Sequence, residues 1–539
     1  MKKLSILTLA VIALTLGFSS CEKKIDEAHA NPNADVRVPI ETLLPGIIGN
    51  FVGNSSAAGS AYGVANDGTN IGRYIQFWAA NAAGNTFDQM AGATGSSDVM
   101  GSIWAMHYYG MGQNLNRMIE WGIEEKKWDY VGVGYAIQAW SWLTLTNTYG
   151  EVILREAFNT SQLVFKYEDQ PEVYDSVRTI ALRAVQFLDR KGDNVSRENL
   201  NKGDAFFYGG DTEKWKKFAY TVIARSYANL TNKADFKPDS VIKYCQLGIN
   251  SNADNAAAKF ANTGIVGTSN FYGPLRNNVG TLRQTAFISN LMNGTNTVFT
   301  GAADPRAPYI LRENNNGTYR GVEPNRGTSG LVTNDQPRNF WGGLFSVSTA
   351  TTDSGARYIF RNDSPFPIAT APEVKFMLAE AYYRKGDRAA ARQAYLDGIS
   401  LSFDMLVSTY DASVRSNLKI TPAVRTAYLT HPRVAVAANE LTLSHIMLQK
   451  FIALYGYGII EIWNDLRRYH YTDTENGVQV YADFIPPSGA NLFVNNNNKL
   501  VYRARPRFNS EYLYNVAELE RIGAMALDYH TKEMWFSQK

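Results

Sequence analysis

Apolar positions in residues 372–398 fall on a helical period. Val374, Met377, Leu378, Ala381 and Tyr382 recur at i, i+3, i+4, i+7 and i+8, the stripe of an amphipathic helix. Pro372 and Glu373 suit its first turn. Gly386-Asp387 ends that helix and caps a second, whose apolar face runs Ala391, Ala394, Tyr395, Gly398. Similar patterning predicts helices over 98–121, with Trp104, Tyr108, Met111 and Leu115 on one stripe, and over 128–149, with Tyr135, Ala139, Trp142 and Leu143 on one face. It continues over 171–190, 211–230, 238–250, 402–418, 422–429 and 515–523. A long helix is expected over 439–469, where Gly456 and Gly458 either allow close approach or break it. The texture changes in 253–366, rich in Gly, Asn, Thr and Pro with one short helix expected at 284–292, and in the Gly/Asn/aromatic stretch 49–94.

Leu378, Ala379, Tyr382, Gly386, Ala391 and Tyr395 occupy the signature offsets of a tetratricopeptide unit. One such hairpin cannot bury its own face and must stack on others. The expectation is an all-α superhelix of tetratricopeptide-like hairpins carrying an irregular, loop-rich binding lobe. No clean linker separates the two textures, so residues 38–539 read as a single domain.

The N-terminus reads as a secretion leader over residues 1–20. Lys2-Lys3 precede a short apolar run, Leu4 to Leu16, that is too short to span a bilayer. Phe18-Ser19-Ser20-Cys21 resembles a bacterial lipobox and marks Cys21 for lipidation, palmitate included. The alternative is an ordinary cleavage site beside an incidental cysteine. Residues 21–37 are charged, aperiodic and tether-like. Cys245 is then the one cysteine of the body and reads as packed.

The balance of 53 Lys and Arg against 50 Asp and Glu, with no basic cluster, argues against a nucleic-acid binder. The six histidines form no HExxH or paired ligand spacing, so neither a metal site nor a cofactor is expected. Asn66-Asp67-Gly68-Thr69-Asn70 breaks the order of a calcium loop. Gly132-Val133-Gly134 and Gly456-Tyr457-Gly458 lack the context of a dinucleotide loop. Glu461 and Asp465 share a helix face, but Arg467 and Arg468 follow closely and point to an ion-pair network instead of catalysis. The chain is not expected to be an enzyme.

Aromatic residues, with 31 Tyr and 10 Trp, exceed what a helical core demands. A pyranose offers an apolar C–H face and a hydroxyl rim, so its site pairs a ring with amide or charged groups. Arg73, Tyr74, Trp78 and Asn81 supply that mixture, as do Tyr272, Tyr319 and Trp341. Trp78 and Trp341 lead because flanking Gly and Asn leave room for a ligand.

Four landmarks give the chain a wider resemblance: Asn147 to Val152, Asp304-Pro305-Arg306, Pro372 through Asp387, and Gln449 to Arg468. With the lipobox and the tail after Arg507, their order and spacing resemble the SusD/RagB lipoproteins of Bacteroidetes over essentially the whole length. That resemblance implies four tetratricopeptide-like helical pairs beneath an irregular lobe, at the outer membrane facing outside the cell. It implies a hinged lid that captures glycan, or peptide in some relatives, for a SusC-type TonB-dependent transporter. A tetratricopeptide scaffold that binds another protein and no nutrient is the other class; the Gly/Asn/aromatic lobe favours capture.

Overall fold

A computed structural model describes residues 37–55, 61–92, 100–350, 352–506 and 508–539. The leader, Cys21 and all of the tether before Arg37 lie outside the described residues.

Helices dominate. Among the described residues, the α-helices longer than four residues are, in chain order, α1 (Leu43–Val52), α2 (Val64–Tyr74), α3 (Gly112–Glu124), α4 (Trp128–Tyr149), α5 (Gln170–Leu188), α6 (Arg197–Asp204), α7 (Thr212–Ala228), α8 (Pro238–Leu247), α9 (Ala286–Asn293), α10 (Ala371–Lys385), α11 (Arg388–Tyr410), α12 (Pro422–Leu429), α13 (Leu443–Ala453), α14 (Ile459–Arg468), α15 (Phe508–Tyr514) and α16 (Val516–Arg521). Each helix from α3 to α5 packs on the next; α5 packs on α7, α7 on α8, α8 on α10 and α10 on α11, forming the expected continuous stack. α4 is buried on almost every face, as a helix apolar all round must be.

The founding hairpin forms as its sequence requires. Gly386 closes α10 in the left-handed conformation at φ +89°, and Asp387 accepts the Ala390 N–H to cap α11. α11 does not stop near Gly398. It runs unbroken to Tyr410, because Gly398 lies against the Phe376 ring of α10 and serves close packing. The helix expected over 439–469 is broken instead: α13 ends at Ala453, and Gly456 at φ +83° turns the chain into α14.

The lobe is irregular but not loose. Its strands are short: β1 (Trp78–Ala80) pairs antiparallel with β3 (Leu282–Gln284), and β2 (Ala256–Ala258) with β4 (Phe366–Ala369). Loops lacking ladders must satisfy their carbonyls otherwise. Buried arginines do this. Arg283 donates to the Gly280, Leu282 and Val347 carbonyls at 2.6–2.8 Å, and Arg312 donates twice to Phe340 O at 2.9 and 2.7 Å and also to Gly355 O. Burial pushes Arg283 down to about 10 and Arg312 to about 9.

Asp304 and Arg306, both fully buried, form a bidentate pair at 2.9 and 2.6 Å. Arg306 also donates to Ser402 of α11 and Gln449 of α13, while Tyr428 of α12 donates to Asp304 at 2.8 Å. One landmark therefore pins the lobe to three helices.

Candidate functional site

The stretch 49–94, expected to be irregular, contains α2, and this helix explains where Trp78 goes. Its indole lies on Gly72, where an added Cβ would come within 2.4 Å of the ring, and donates to Thr69 O at 3.0 Å. Trp78 packs edge-on against Tyr272 at 5.5 Å and Phe340 at 6.1 Å. Trp341 donates its indole N–H to Tyr272 O at 3.0 Å. Tyr74 lies against Trp463 of α14. Trp78, Tyr272, Trp341 and Tyr74 are between 0 and 3% exposed. No ring face among them is open to a ligand, which corrects the expectation that flanking Gly and Asn leave room. The small residues let the rings sink into the core and seal lobe to helices.

The three remaining candidates keep some exposure. Arg73 donates to Asn85 Oδ1 at 2.9 Å and lies 3.7 Å from the buried Asp88, whose carboxyl burial pushes up to about 6. Asn81 is tied through its backbone N–H to Thr281 O at 2.8 Å, and Tyr319 is half-buried. None of the seven lines the groove described next.

That groove, of about 460 Å³, lies between the turn before α3, the loop after α4 and α15. A volume of this size lined by rings and a few polar groups is the usual form of a small-ligand site. The chain enters α3 through a π-helical turn, Met106–Met111. The extra residue per turn breaks the stripe on which Tyr108 was placed, so that Tyr108 and Tyr109 both line the groove while His107 points inward. Trp104 and Ile153 form its buried floor, and Tyr108 donates to Ile153 O at 2.7 Å.

The opposite wall begins where the landmark ending in Val152 stops. Glu168 Oε2 accepts the Leu154 and Arg155 N–H groups at 2.6 and 3.2 Å and fixes the loop's start. Asn159 Oδ1 accepts from Ser161 N and Oγ at 3.1 and 2.7 Å, which shapes its tip. Phe158 stands at φ +67°, and its ring occupies the space a side chain at Gly112 would need, with Cζ 2.1 Å from an added Cβ.

α15 supplies Ser510, Glu511 and Tyr514. Glu511 Oε2 accepts from Tyr167 Oη at 2.7 Å and Asn515 Nδ2 at 3.0 Å, and Asn515 Oδ1 accepts the Phe165 N–H at 3.1 Å. These bonds lash α15 to the loop. Tyr109 and Tyr514 remain 56% and 55% exposed, and Leu163 is 69% exposed at the rim. Exposed tyrosines thus stand beside Asn159, Gln162, Ser510 and Glu511, which can bond a hydroxylated ligand. The sequence carried part of this signal in the Tyr108-Tyr109 pair, which the helical stripe absorbed.

The carboxylates at Glu461 and Asp465 are ion-paired inside the stack. Glu461 meets Arg225 at 2.8 Å, and Asp465 meets Lys450 at 2.7 Å and Arg468 at 2.6 Å. Among the described residues, no group of three or more His, Cys, Asp and Glu could hold a metal ion, and no helix is long and apolar enough to cross a membrane.

Residues 47–487 match the SusD-like family model described as starch-binding associating with outer membrane. The chain belongs to the SusD-like family. Solved SusD-like structures share its fold. A SusD homologue from Bacteroides fragilis superposes with a TM-score of 0.70 at 17% identity, covering 93% of this chain and 100% of that one. A SusD/RagB-family protein from Bacteroides thetaiotaomicron gives 0.67 at 18% identity, covering 93% and 99%. A chitin-binding protein gives 0.62 at 18% identity, covering 88% and 96%. No curated protein matches the chain in sequence. The family's description places its members among nutrient-binding proteins associated with the outer membrane, and this chain is one of them.

Proposed function

We propose that this SusD-like protein captures an oligosaccharide in the groove between the π-helical turn and α15, then passes it to a SusC-type TonB-dependent transporter. Lipid on Cys21 would hold it at the outer face of the membrane. One observation supports the site above others: Tyr109 and Tyr514 are each more than half exposed in a groove of about 460 Å³ that also holds amide, hydroxyl and carboxylate groups. The family's description as starch-binding, and a chitin-binding structural neighbour, favour glycan as the cargo. Stacking contributes about 0.5–1.5 kcal/mol per ring. Two or three rings and a few hydrogen bonds reach about 4–6 kcal/mol, a Kd from roughly millimolar to tens of micromolar. Weak binding suits a protein that must hand its cargo on.

Leu163 at the rim, 69% exposed, and its exposed chain neighbour Val164 favour a second reading in which the cargo is a peptide. Titration calorimetry with maltoheptaose, N-acetylchitohexaose and a mixed tryptic peptide pool separates the two. Binding of a sugar supports glycan capture, and binding of peptides alone overturns it. Incorporation of labelled palmitate at Cys21 tests the anchor, and co-purification with a TonB-dependent barrel tests the partner.

A further inference from the structure

Two costly features meet in one wall of the groove. Phe158 is a non-glycine residue at φ +67°, a conformation that persists only where surroundings enforce it. Behind it lies His107, 2% exposed, whose Nε2 is buried with no hydrogen-bond partner. The two rings are neighbours, with centroids 6.1 Å apart. Tyr108 and Trp142 pack round the same imidazole at 4.8 and 4.0 Å. His107 itself sits in the π-helical turn, a deviation that recurs at functional sites. Native structures rarely leave a buried polar atom unpaired without a use for it. Of these three rings only Phe158 sits on a strained backbone, and it lines the groove, so its movement would release that strain and open a path from the groove toward the imidazole.

We propose that the Phe158 ring is a gate over a deeper subsite of the groove, and that His107 Nε2 is the polar anchor at its base. The inference rests on the groove being the ligand site. The other ring nitrogen, Nδ1, shares a 2.6 Å bond with Ser141 Oγ, so Nε2 donates or accepts according to which partner holds the proton there. A hydroxyl can do either, so the subsite takes the hydroxyl-bearing end of a sugar chain. Burial keeps the imidazole neutral, with its pKa pushed down to about 3, so it meets such a group as a neutral partner.

Carbethoxylation by diethyl pyrocarbonate at pH 7, read residue by residue by mass spectrometry, tests the gate without any sugar present. His530, 0% exposed and distant in sequence, is the internal control. A gate predicts that native His107 reacts at least about tenfold faster than His530, and faster again in Phe158→Ala or, if that variant misfolds, Phe158→Leu. Equal, slow labelling of both histidines in both proteins overturns the gate. The anchor is tested by His107→Phe, which fills similar space without a nitrogen. Whichever of maltoheptaose and N-acetylchitohexaose the wild type binds should bind the variant about tenfold more weakly, the worth of one hydrogen bond in a dry site. Unchanged affinity overturns the anchor. If neither sugar binds the wild type, the glycan reading fails and the sugar anchor with it, while the labelling result still decides the gate.

Discussion

Arg468 of α14 donates from Nη1 and Nη2 to the two carboxylate oxygens of Glu380 of α10, at 2.9 and 3.0 Å, with both side chains buried. Asp465 takes a second bond from Arg468 at 2.6 Å, and Tyr469 donates to Glu380 at 2.6 Å. Burial pushes the Glu380 carboxyl up, but the charges of Arg468 and Arg384 outweigh it and hold the group well below the usual carboxylate range. The pair joins the founding hairpin to the helix that closes the stack. Glu380→Ala takes both Glu380 oxygens from a buried guanidinium that is left with Asp465 as its one carboxylate partner, and should cost about 3–5 kcal/mol. Glu380→Ala with Arg468→Met removes both charges and should recover most of that loss. Urea unfolding of the three proteins measures it; equal stability of the single and double variants would contradict this role.

Arg312 makes the same argument for the lobe. It serves the Phe340 and Gly355 carbonyls, which have no strand to pair with. Arg312→Met should destabilise the protein by about 2–4 kcal/mol, since the buried Phe340 carbonyl and the Gly355 carbonyl lose their donor at once. Hydrogen exchange should accelerate first across the segments Arg312 joins, around residues 312–315 and 339–356. Exchange that rises uniformly over the chain would instead place the residue's effect in the helical stack.

Burial holds His107 near 3, and burial with Arg433 and Arg505 nearby holds His445 and His530 near 4. Each folded-state value lies below the unfolded one of about 6.5. The unfolded chain therefore takes up these protons first, and the stability each neutral ring contributes above about pH 6.5 is lost as pH falls toward 4. At pH 5 the loss is about 2 kcal/mol per histidine. Asp88 and Asp204, raised by burial to about 6, act with the opposite sign, so the single-site difference is the clean readout. Between pH 7.5 and 5, His530→Gln should lose about 2 kcal/mol less than wild type in urea unfolding.

The helical stack was legible because its signals are local. Period, caps and hairpin offsets placed α4 at the residues observed, and α10 to within a residue of its expected start. Where reading failed, long-range contacts decided. Asn66, Asp67, Gly68, Asn70 and Gly72 are poor helix formers, yet α2 forms because Gly72 carries the Trp78 indole and Gly68 sits beneath Ile459 and Tyr272. The same contacts bury the aromatic residues that composition had marked for a ligand. The groove was hidden differently. Tyr109 reaches it through one π-helical turn, and Tyr514 comes from a helix more than 400 residues away in sequence, joined by the Tyr109–Ser510 contact at 3.1 Å. No local pattern encodes that meeting.

The central claim is that the groove, and not the lobe surface, holds the nutrient. Titration calorimetry of wild type, Tyr109→Ala, Tyr514→Ala and the double variant against the tightest-binding sugar tests it, with Arg73→Ala and Tyr319→Ala as lobe controls. The groove variants should each weaken binding by about 2- to 10-fold, and the double variant by more, while the lobe controls stay within twofold. Unchanged affinity in the groove variants, with loss in Arg73→Ala or Tyr319→Ala, would contradict the account.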